Sequence, residues 1–482
     1  MATEIKQADS ISVHEKHYIN GMWVESEGTE RLDVINPATE EVIGRICSGT
    51  PADVDKAVAA ARSAFESWSQ TSLDERAGYL LAIADELEAR QEEIAELIAR
   101  EVGAPISFCR MAQVTDPPAI FRETAEIMKN FRYEKDEAKW LNIREPIGVV
   151  GSITPWNYPM HLMCGKSAPA IASGCTIVLK PTEVKPLTSF VLAEIIDNAG
   201  LPAGVWNMVN GTGASVGEAI VQHPDIDMVH FTGSLRAGRR ISEVAARTVK
   251  RVALEMGGKS ACVILGDADL EAAVKDGLQD CYANTGQTCC AHTRMLVPRD
   301  RHDEAVNIAR AAVESLQTGD PTEDTTNIGP LISATQRDQV RSYIEKGIDE
   351  GATLVTGGAE PPDGLARGYY VRPTVFSNVS NEMTIAQEEI FGPVLCIIPY
   401  DSEEDAVRIA NDSIYGLGGG VWAGSQEHAE AVARRLRTGQ VRINGAPGNL
   451  MAPFGGFKQS GNGREYGKHG YSEYFEIKSL QR

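Results

Sequence analysis

Cys289 stands in the run Gly286-Gln287-Thr288-Cys289-Cys290-Ala291, and Glu255 stands upstream in Leu254-Glu255-Met256-Gly257-Gly258-Lys259. Cysteine is the strongest side-chain nucleophile near neutral pH. A carboxylate can activate the water that later frees an acyl group from it. Together they suit acyl chemistry through a thioester. A single cysteine is more often a buried structural thiol, so its surroundings carry the reading. Two further stretches hold side chains able to orient a ligand. They are Ile153-Thr154-Pro155-Trp156-Asn157-Tyr158-Pro159 and Val178-Leu179-Lys180-Pro181-Thr182-Glu183.

The elements that must position these residues are legible as an α/β pattern. From about residue 147, short apolar runs alternate with helical segments. Strands are predicted at 147–153, 176–179, 228–231 and 251–254, which indicates a parallel sheet with crossover helices. A second series follows Cys289, clearest near 392–400 and 418–424. Thr50-Pro51-Ala52-Asp53 starts a helix, with Val54, Ala57, Val58, Ala61, Phe65 and Trp68 on its apolar face. Ser72-Leu73-Asp74-Glu75 is a capping box for a second helix reaching about Val102. Residues 1–17 are polar and read as a loose arm. Residues 131–144 read as a solvated hairpin.

Phe231-Thr232-Gly233-Ser234-Leu235-Arg236-Ala237-Gly238 follows a strand and opens a helix. Glycines there let backbone amides approach a pyrophosphate at a helix N-terminus. The spacing is Gly-x-x-x-x-Gly, so an ordinary tight turn is the alternative. Lys180 and Glu183 lie just after a strand, at the edge where α/β sheets bind ligands; a solvated ion pair is the other reading.

Composition narrows the classes. The chain has 482 residues, 43% hydrophobic, enough for two or three domains. No apolar run of about 18 residues predicts a membrane span. Met1-Ala2-Thr3-Glu4-Ile5 does not resemble a secretory leader. Nine cysteines show neither a disulfide framework nor zinc-ligand spacing, which fits a reducing cytoplasm and no metal. A net charge of −21 opposes nucleic-acid binding.

With Tyr18-Ile19-Asn20-Gly21, Asn36-Pro37-Ala38-Thr39, Glu388-Glu389-Ile390-Phe391-Gly392-Pro393 and Pro453-Phe454-Gly455-Gly456-Phe457-Lys458, these motifs resemble the NAD(P)-dependent aldehyde dehydrogenase superfamily, in its hydrolytic form, almost end to end. The resemblance implies three parts. A Rossmann-type NAD-binding domain covers 1–130 and 146–256. An α/β catalytic domain covers 257–445. An oligomerisation arm with the C-terminal tail and substrate loop covers 131–145 and 446–482. In the family that arm and the strand near Tyr474-Phe475-Glu476-Ile477 join a neighbouring subunit, implying a homodimer or homotetramer.

The resemblance also implies roles. Cys289 attacks an aldehyde, and Asn157 with the Cys289 backbone N–H holds the oxyanion. Hydride then passes to NAD, and Glu255 activates the hydrolytic water. Gly257 and Gly258 would let that glutamate move. Ile153, Thr154, Pro155, Trp156, Phe231, Gly233, Ser234 and Gly238 would contact the cofactor. Lys180 and Glu183 would hold the adenine ribose, the carboxylate favouring NAD over NADP by repelling a 2′-phosphate. Glu389 would hold the nicotinamide ribose, with Phe391 beside it. Leu235-Arg236 departs from the family, where a small residue and an acid are common.

Tyr158, His161, Leu162, Gly165, Thr288 and Cys290 would line the aldehyde tunnel. Cys290 is either a wall or a redox partner of Cys289. Glycine at 165, where many members carry tryptophan, should widen the tunnel. His161 is a polar contact or a rim residue. Leu450 and Met451 would add apolar wall. Only Tyr158 offers a ring, which speaks against betaine aldehyde and for an aromatic or medium-chain apolar aldehyde. The rivals are a CoA-acylating semialdehyde dehydrogenase, which typically lacks the glutamate at position 255, and a non-catalytic scaffold, which would lose Cys289, Glu255 or Asn157.

Overall fold

A computed structural model describes residues 11–482. Its centre is an eight-stranded sheet. Five neighbouring strands run parallel, in the order Arg251–Glu255, Met228–Thr232, Val149–Ile153, Thr176–Lys180, Trp206–Met208. The four predicted strands coincide with four of these, the first beginning at Val149 rather than at 147. They are fully or largely buried, because both faces are covered by helices, so an apolar β-branched run is what such a strand requires. Register aligns their carboxyl ends: Ile153 pairs with Lys180 and with Phe231, and Thr232 pairs with Glu255. One edge of the sheet therefore presents all three motifs to the same crevice.

A second sheet of seven strands runs in the order Thr353–Thr356, Thr374–Ser377, Val394–Tyr400, Arg294–Pro298, Ala261–Ile264, Gly419–Trp422, Arg442–Ile443. All neighbours are parallel except the first pair. The chain passes from the first sheet to the second through Met256–Ser260, immediately after Glu255. Residues 134–136 and 140–146 form a hairpin, and Phe475–Gln481 adds a third strand to it. The hairpin is thus paired on one side rather than simply solvated, and Trp140, Ile477 and Leu480 remain exposed on its sheet.

Two expectations are corrected. Residues 1–10 lie outside the described residues, but 11–17 are not loose. Ser12–His14 pairs with Val42–Cys47, and Lys16–Ile19 pairs with strands on both sides. The anchors are aromatic. His14 stacks on Phe190 at 3.9 Å, and the Tyr18 hydroxyl donates to Asp197 at 2.8 Å. The helix after Ser72 is also not continuous to Val102. It ends at Ala89, and a second helix runs Gln91–Val102. Arg90 leaves helical geometry between them (φ −108°, ψ 15°), and its guanidinium binds Glu93 at 2.7 Å and Glu194 at 3.0 Å. Neither glycine nor proline marks the break.

Candidate active site

Cys289 follows the Leu270–Tyr282 helix through a tight loop. Asn284 and Thr285 are both left-handed (φ 54° and 58°), a region that costs a non-glycine residue about 1–3 kcal/mol. Gly286 follows at φ 73°, where a β-carbon would lie 2.3 Å from the Gly392 carbonyl. Side chains hold this loop in place. Asn284 Nδ2 donates to the Asn157 carbonyl at 2.8 Å, and Gln113 Nε2 donates to the same oxygen at 2.9 Å. Asn157 Nδ2 donates to the Gln287 carbonyl at 3.0 Å. Asn157 is thereby fixed beside the cysteine loop, with one of its two amide hydrogens used. Gln113 and Asn284 are second supports that no sequence motif marked.

Cys289 and Cys290 are both free thiols. The hydrogen bond between them, then burial, and then the nearby carboxylates of Glu389 and Glu255 raise the Cys289 thiol well above its usual range. The β-carbon and carbonyl of Cys290 pack where Gly418 lacks a side chain.

Glu255 ends its strand against the same loop. A β-carbon at Gly258 would fall 2.9 Å from the Cys289 carbonyl oxygen, so the glutamate and cysteine segments meet at backbone contact. Both Glu255 carboxylate oxygens are buried without a hydrogen-bond partner. Burial and the neighbouring Glu465 raise its pKa well above the ordinary carboxylate value, with Lys166 opposing. A carboxyl so placed is poised to exchange a proton with water, not to serve as a structural salt bridge.

Behind it lies a buried polar cluster that sequence reading missed. Lys166 forms an ion pair with Glu465 and donates to Thr232 Oγ1 at 2.7 Å. His230 Nε2 lies 2.9 Å from Glu465, and its Nδ1 lies 2.7 Å from the Tyr474 hydroxyl. Burial pushes Glu465 up, but the charges and hydrogen bonds of Lys166 and His230 outweigh it and hold the carboxyl well below its usual range.

The residues expected around a dinucleotide line the carboxyl edge of the first sheet. Ser234 caps the Leu235–Ala245 helix, its hydroxyl accepting from Ala237 N–H at 3.3 Å. A β-carbon at Gly238 would sit 2.1 Å from Met256 Sδ, and one at Gly233 would sit 2.5 Å from the Phe231 ring. Both glycines are thus needed for close packing at the turn. Thr154 N–H donates to Lys180 O at 3.1 Å, joining Ile153 and Pro155 to the next strand. Lys180 Nζ pairs with Glu183 at 2.9 Å, and the other Glu183 oxygen accepts from Gly213 N–H at 3.0 Å. Burial pushes Glu183 up, but the Lys180 charge and these hydrogen bonds bring it below its ordinary value. It is an anion facing the crevice, which matches ribose hydroxyls and opposes a phosphate.

Across the crevice, Glu389 is fully enclosed and pushed up to about 7 by burial, with one bond from Gly258 N–H at 3.3 Å. Its carboxylate occupies the place of a Gly257 side chain, 2.0 Å from where a β-carbon would be. Gly257 is therefore explained by Glu389 and not only by mobility of Glu255. The Phe391 ring meets Trp156 edge-on at 5.4 Å. These side chains fit NAD: a carboxylate at each end able to accept from ribose hydroxyls, and a glycine-lined helix start between.

The expected tunnel residues also come together, with one correction. The Tyr158 hydroxyl lies 2.7 Å from Thr288 Oγ1, one residue before Cys289. Gly165 does not open space. A β-carbon there would fall 2.8 Å from the Tyr466 hydroxyl, so the tyrosine fills the volume that glycine vacates. That hydroxyl lies 2.7 Å from His161 Nε2, so His161 makes a polar contact within the protein. Tyr158, His161, Tyr466 and Phe454 form a row of rings with successive centroids 5.5–6.2 Å apart. The earlier ground for setting aside betaine aldehyde, a shortage of rings, is thereby removed. Leu450 is half-buried, whereas Met451 is exposed and lines a cleft with Phe131 and Arg144 of the hairpin.

Among the described residues, no helix is long and apolar enough to cross a membrane. The sequence model of the Aldehyde dehydrogenase family matches residues 23–480. The chain is 50% identical over 470 residues to 3-succinoylsemialdehyde-pyridine dehydrogenase of a Pseudomonas species, covering 97% of this chain and 98% of that protein. Among solved structures, a mutant of aldehyde dehydrogenase C from Pseudomonas syringae in complex with NAD⁺ and octanal superposes with a TM-score of 0.96 at 48% identity, covering 97% and 96% of the two chains. A Mycobacterium tuberculosis aldehyde dehydrogenase bound to NAD⁺ gives 0.95 at 42%, covering 98% and 99%.

Proposed function

Because this chain belongs to the aldehyde dehydrogenase family and is an NAD-dependent aldehyde-oxidising enzyme, we propose that it oxidises aromatic or medium-chain apolar aldehydes through the residues described above. One observation carries the assignment of the chemistry: the Glu255 and Cys289 segments touch through Gly258, with both Glu255 oxygens buried and unpartnered. Cys289 is the nucleophile. The Asn157 amide stabilises the oxyanion of the thiohemiacetal. NAD⁺, held by Glu183, Ser234 and Glu389, would supply the hydride acceptor. Glu255 takes a proton from water, which attacks the thioester and releases the carboxylate. The buried Glu255 carboxylate argues for water rather than CoA as acyl acceptor.

Glu183 supports NAD over NADP. We expect kcat/KM for NAD⁺ at least roughly tenfold above NADP⁺, about 1.4 kcal/mol, which is modest for a carboxylate facing a phosphate. Glu183→Ala should narrow that ratio. Equal efficiencies in the wild type would remove this role from Glu183.

The substrate reading rests on the ring-lined wall of Tyr158, Tyr466 and Phe454. Two relatives fit it, one named for a pyridine-bearing semialdehyde and one bound to octanal. Each buried methylene contributes about 0.8 kcal/mol, so two suffice for roughly tenfold. Octanal and benzaldehyde should exceed acetaldehyde in kcat/KM by more than about tenfold. A wild type that prefers acetaldehyde overturns this assignment.

The division into an NAD-binding part (1–130 and 146–256), a catalytic part (257–445) and an arm with tail (131–145 and 446–482) belongs to the same proposal. The two large sheets, and the small sheet that the hairpin forms with the tail strand, support it. So does homo-oligomerisation, dimeric or tetrameric, through the arm, whose sheet leaves Trp140, Ile477 and Leu480 exposed. Nine free cysteines and a thiol nucleophile suit a reducing cytoplasm.

A further inference from the structure

The proposed oxyanion site needs two donors in a fixed relation, the free Asn157 amide hydrogen and the Cys289 backbone N–H. That N–H meets no acceptor among the described residues. The Asn157 side chain is tied to the cysteine loop at the Gln287 carbonyl, 3.0 Å away. Between that carbonyl and the Cys289 N–H stands one residue, Thr288. Rotation about the backbone bonds of Thr288 would swing the N–H away from the amide. Whatever fixes Thr288 therefore fixes the relation between the two donors.

The Thr288 side chain is held on both sides. Its hydroxyl donates to the Ala283 carbonyl at 3.1 Å, which uses its one hydrogen. The Tyr158 hydroxyl, 2.7 Å away, is therefore the donor in the contact between them. Thr288 is β-branched and stiff at χ1, so holding its hydroxyl holds the backbone beneath it. Its carbonyl accepts from Ala291 N–H at 3.3 Å, which steadies the peptide group that carries the Cys289 N–H. Tyr158 is itself anchored. It is the N-cap of the Pro159–Ser173 helix, its carbonyl accepts from Leu162 N–H at 2.9 Å, and its ring meets Phe108 edge-on with centroids 6.1 Å apart. Two consecutive residues, Asn157 and Tyr158, thus grip two others, Gln287 and Thr288, immediately before the nucleophile. A tunnel wall would need only the ring of Tyr158. A half-buried hydroxyl is costly unless bonded, and this one is bonded to the cysteine loop.

We propose that Tyr158 and Thr288 are positioning residues, which set the direction of the Cys289 N–H relative to the Asn157 amide so that both donors meet the oxygen of the thiohemiacetal. The proposal rests on the reading of those two groups as the oxyanion donors. Such donors act by being preorganised where the charge develops. Removing one outright typically costs on the order of 10²–10³ in rate, and misaligning one should cost roughly tenfold or more.

The test uses the full chain with saturating NAD⁺ and octanal, and reads the single-turnover rate of NADH formation with enzyme in excess. In parallel, alkylation of Cys289 by iodoacetamide is timed by mass spectrometry. That reaction uses the same sulfur but develops no oxyanion. Tyr158→Phe and Thr288→Val should each lower the single-turnover rate by roughly tenfold or more, with alkylation within about threefold of the wild type. Thr288→Ser keeps the hydroxyl and should stay within about threefold on both measures. The double variant should be no slower than Thr288→Val alone, because both substitutions remove the same contact. The proposal is overturned if either single variant keeps the wild-type rate, if alkylation falls in step with that rate, or if the double variant shows the product of the two losses. The oxyanion reading fails separately: it falls if Asn157→Ala keeps the wild-type single-turnover rate, whatever Tyr158 and Thr288 do.

Discussion

Cys289→Ser is expected to abolish NADH formation, lowering steady-state turnover by on the order of 10³-fold or more. The substitution changes one atom and leaves the loop intact, because Asn284, Thr285 and Gly286 set its path and Gln113, Asn157 and Gln287 hold it. A serine hydroxyl is a far weaker nucleophile and has no base at hand. The carboxylates near the sulfur, Glu255 and Glu389, are themselves raised by burial. NAD⁺ binding, followed by calorimetry, should persist, since the cradle of Glu183, Ser234 and Glu389 is untouched. Cys290→Ser should retain substantial turnover. Should Cys290 prove essential and Cys289 dispensable, the two roles are reversed.

Glu255→Gln separates the two halves of the reaction. Glutamine keeps the shape of the buried side chain but cannot take a proton from water. The first turnover should survive as a burst of NADH equal to the enzyme present, while the steady rate falls by roughly 10²–10⁴. The wild-type steady rate should rise with pH through the range where Glu255 loses its proton, a range moved upward by burial and by Glu465. In the variant this rise should vanish from the steady phase. Strong stimulation of the wild type by CoA would instead mean that hydrolysis is not the native second step.

Much of the fold was legible because fully buried parallel strands need apolar β-branched runs, as at Thr176–Lys180 and Met228–Thr232. Cys289, Glu255 and Asn157 could be proposed from the sequence because each sits in a local motif, and the fold brings their segments together. What escaped was what distance along the chain conceals. Tyr466 meets His161 across 305 residues, and Glu465 meets Lys166 across 299. A glycine at 165 looks like empty space until the residue that occupies it is seen. The helix break at Arg90 has no glycine or proline to announce it; in the fold its guanidinium pairs with Glu93 and Glu194. The strands at 12–19 hid in a polar stretch because their anchors, His14 and Tyr18, are themselves partly polar.

Two consecutive positions of one helix, Gly165 and Lys166, face two consecutive positions of the tail, Tyr466 and Glu465. The first pair lies in the proposed aldehyde wall and the second adjoins Glu255, the proposed base. This makes the four positions epistatic. A bulky residue at 165 cannot arise first, because Tyr466 stands 2.8 Å from its β-carbon. A smaller residue at 466 can arise first, but only by opening a hole beside the buried Lys166–Glu465 ion pair. Drift towards a different aldehyde must therefore cross an intermediate that turns over more slowly, and a library that randomises either position alone will sample few active descendants.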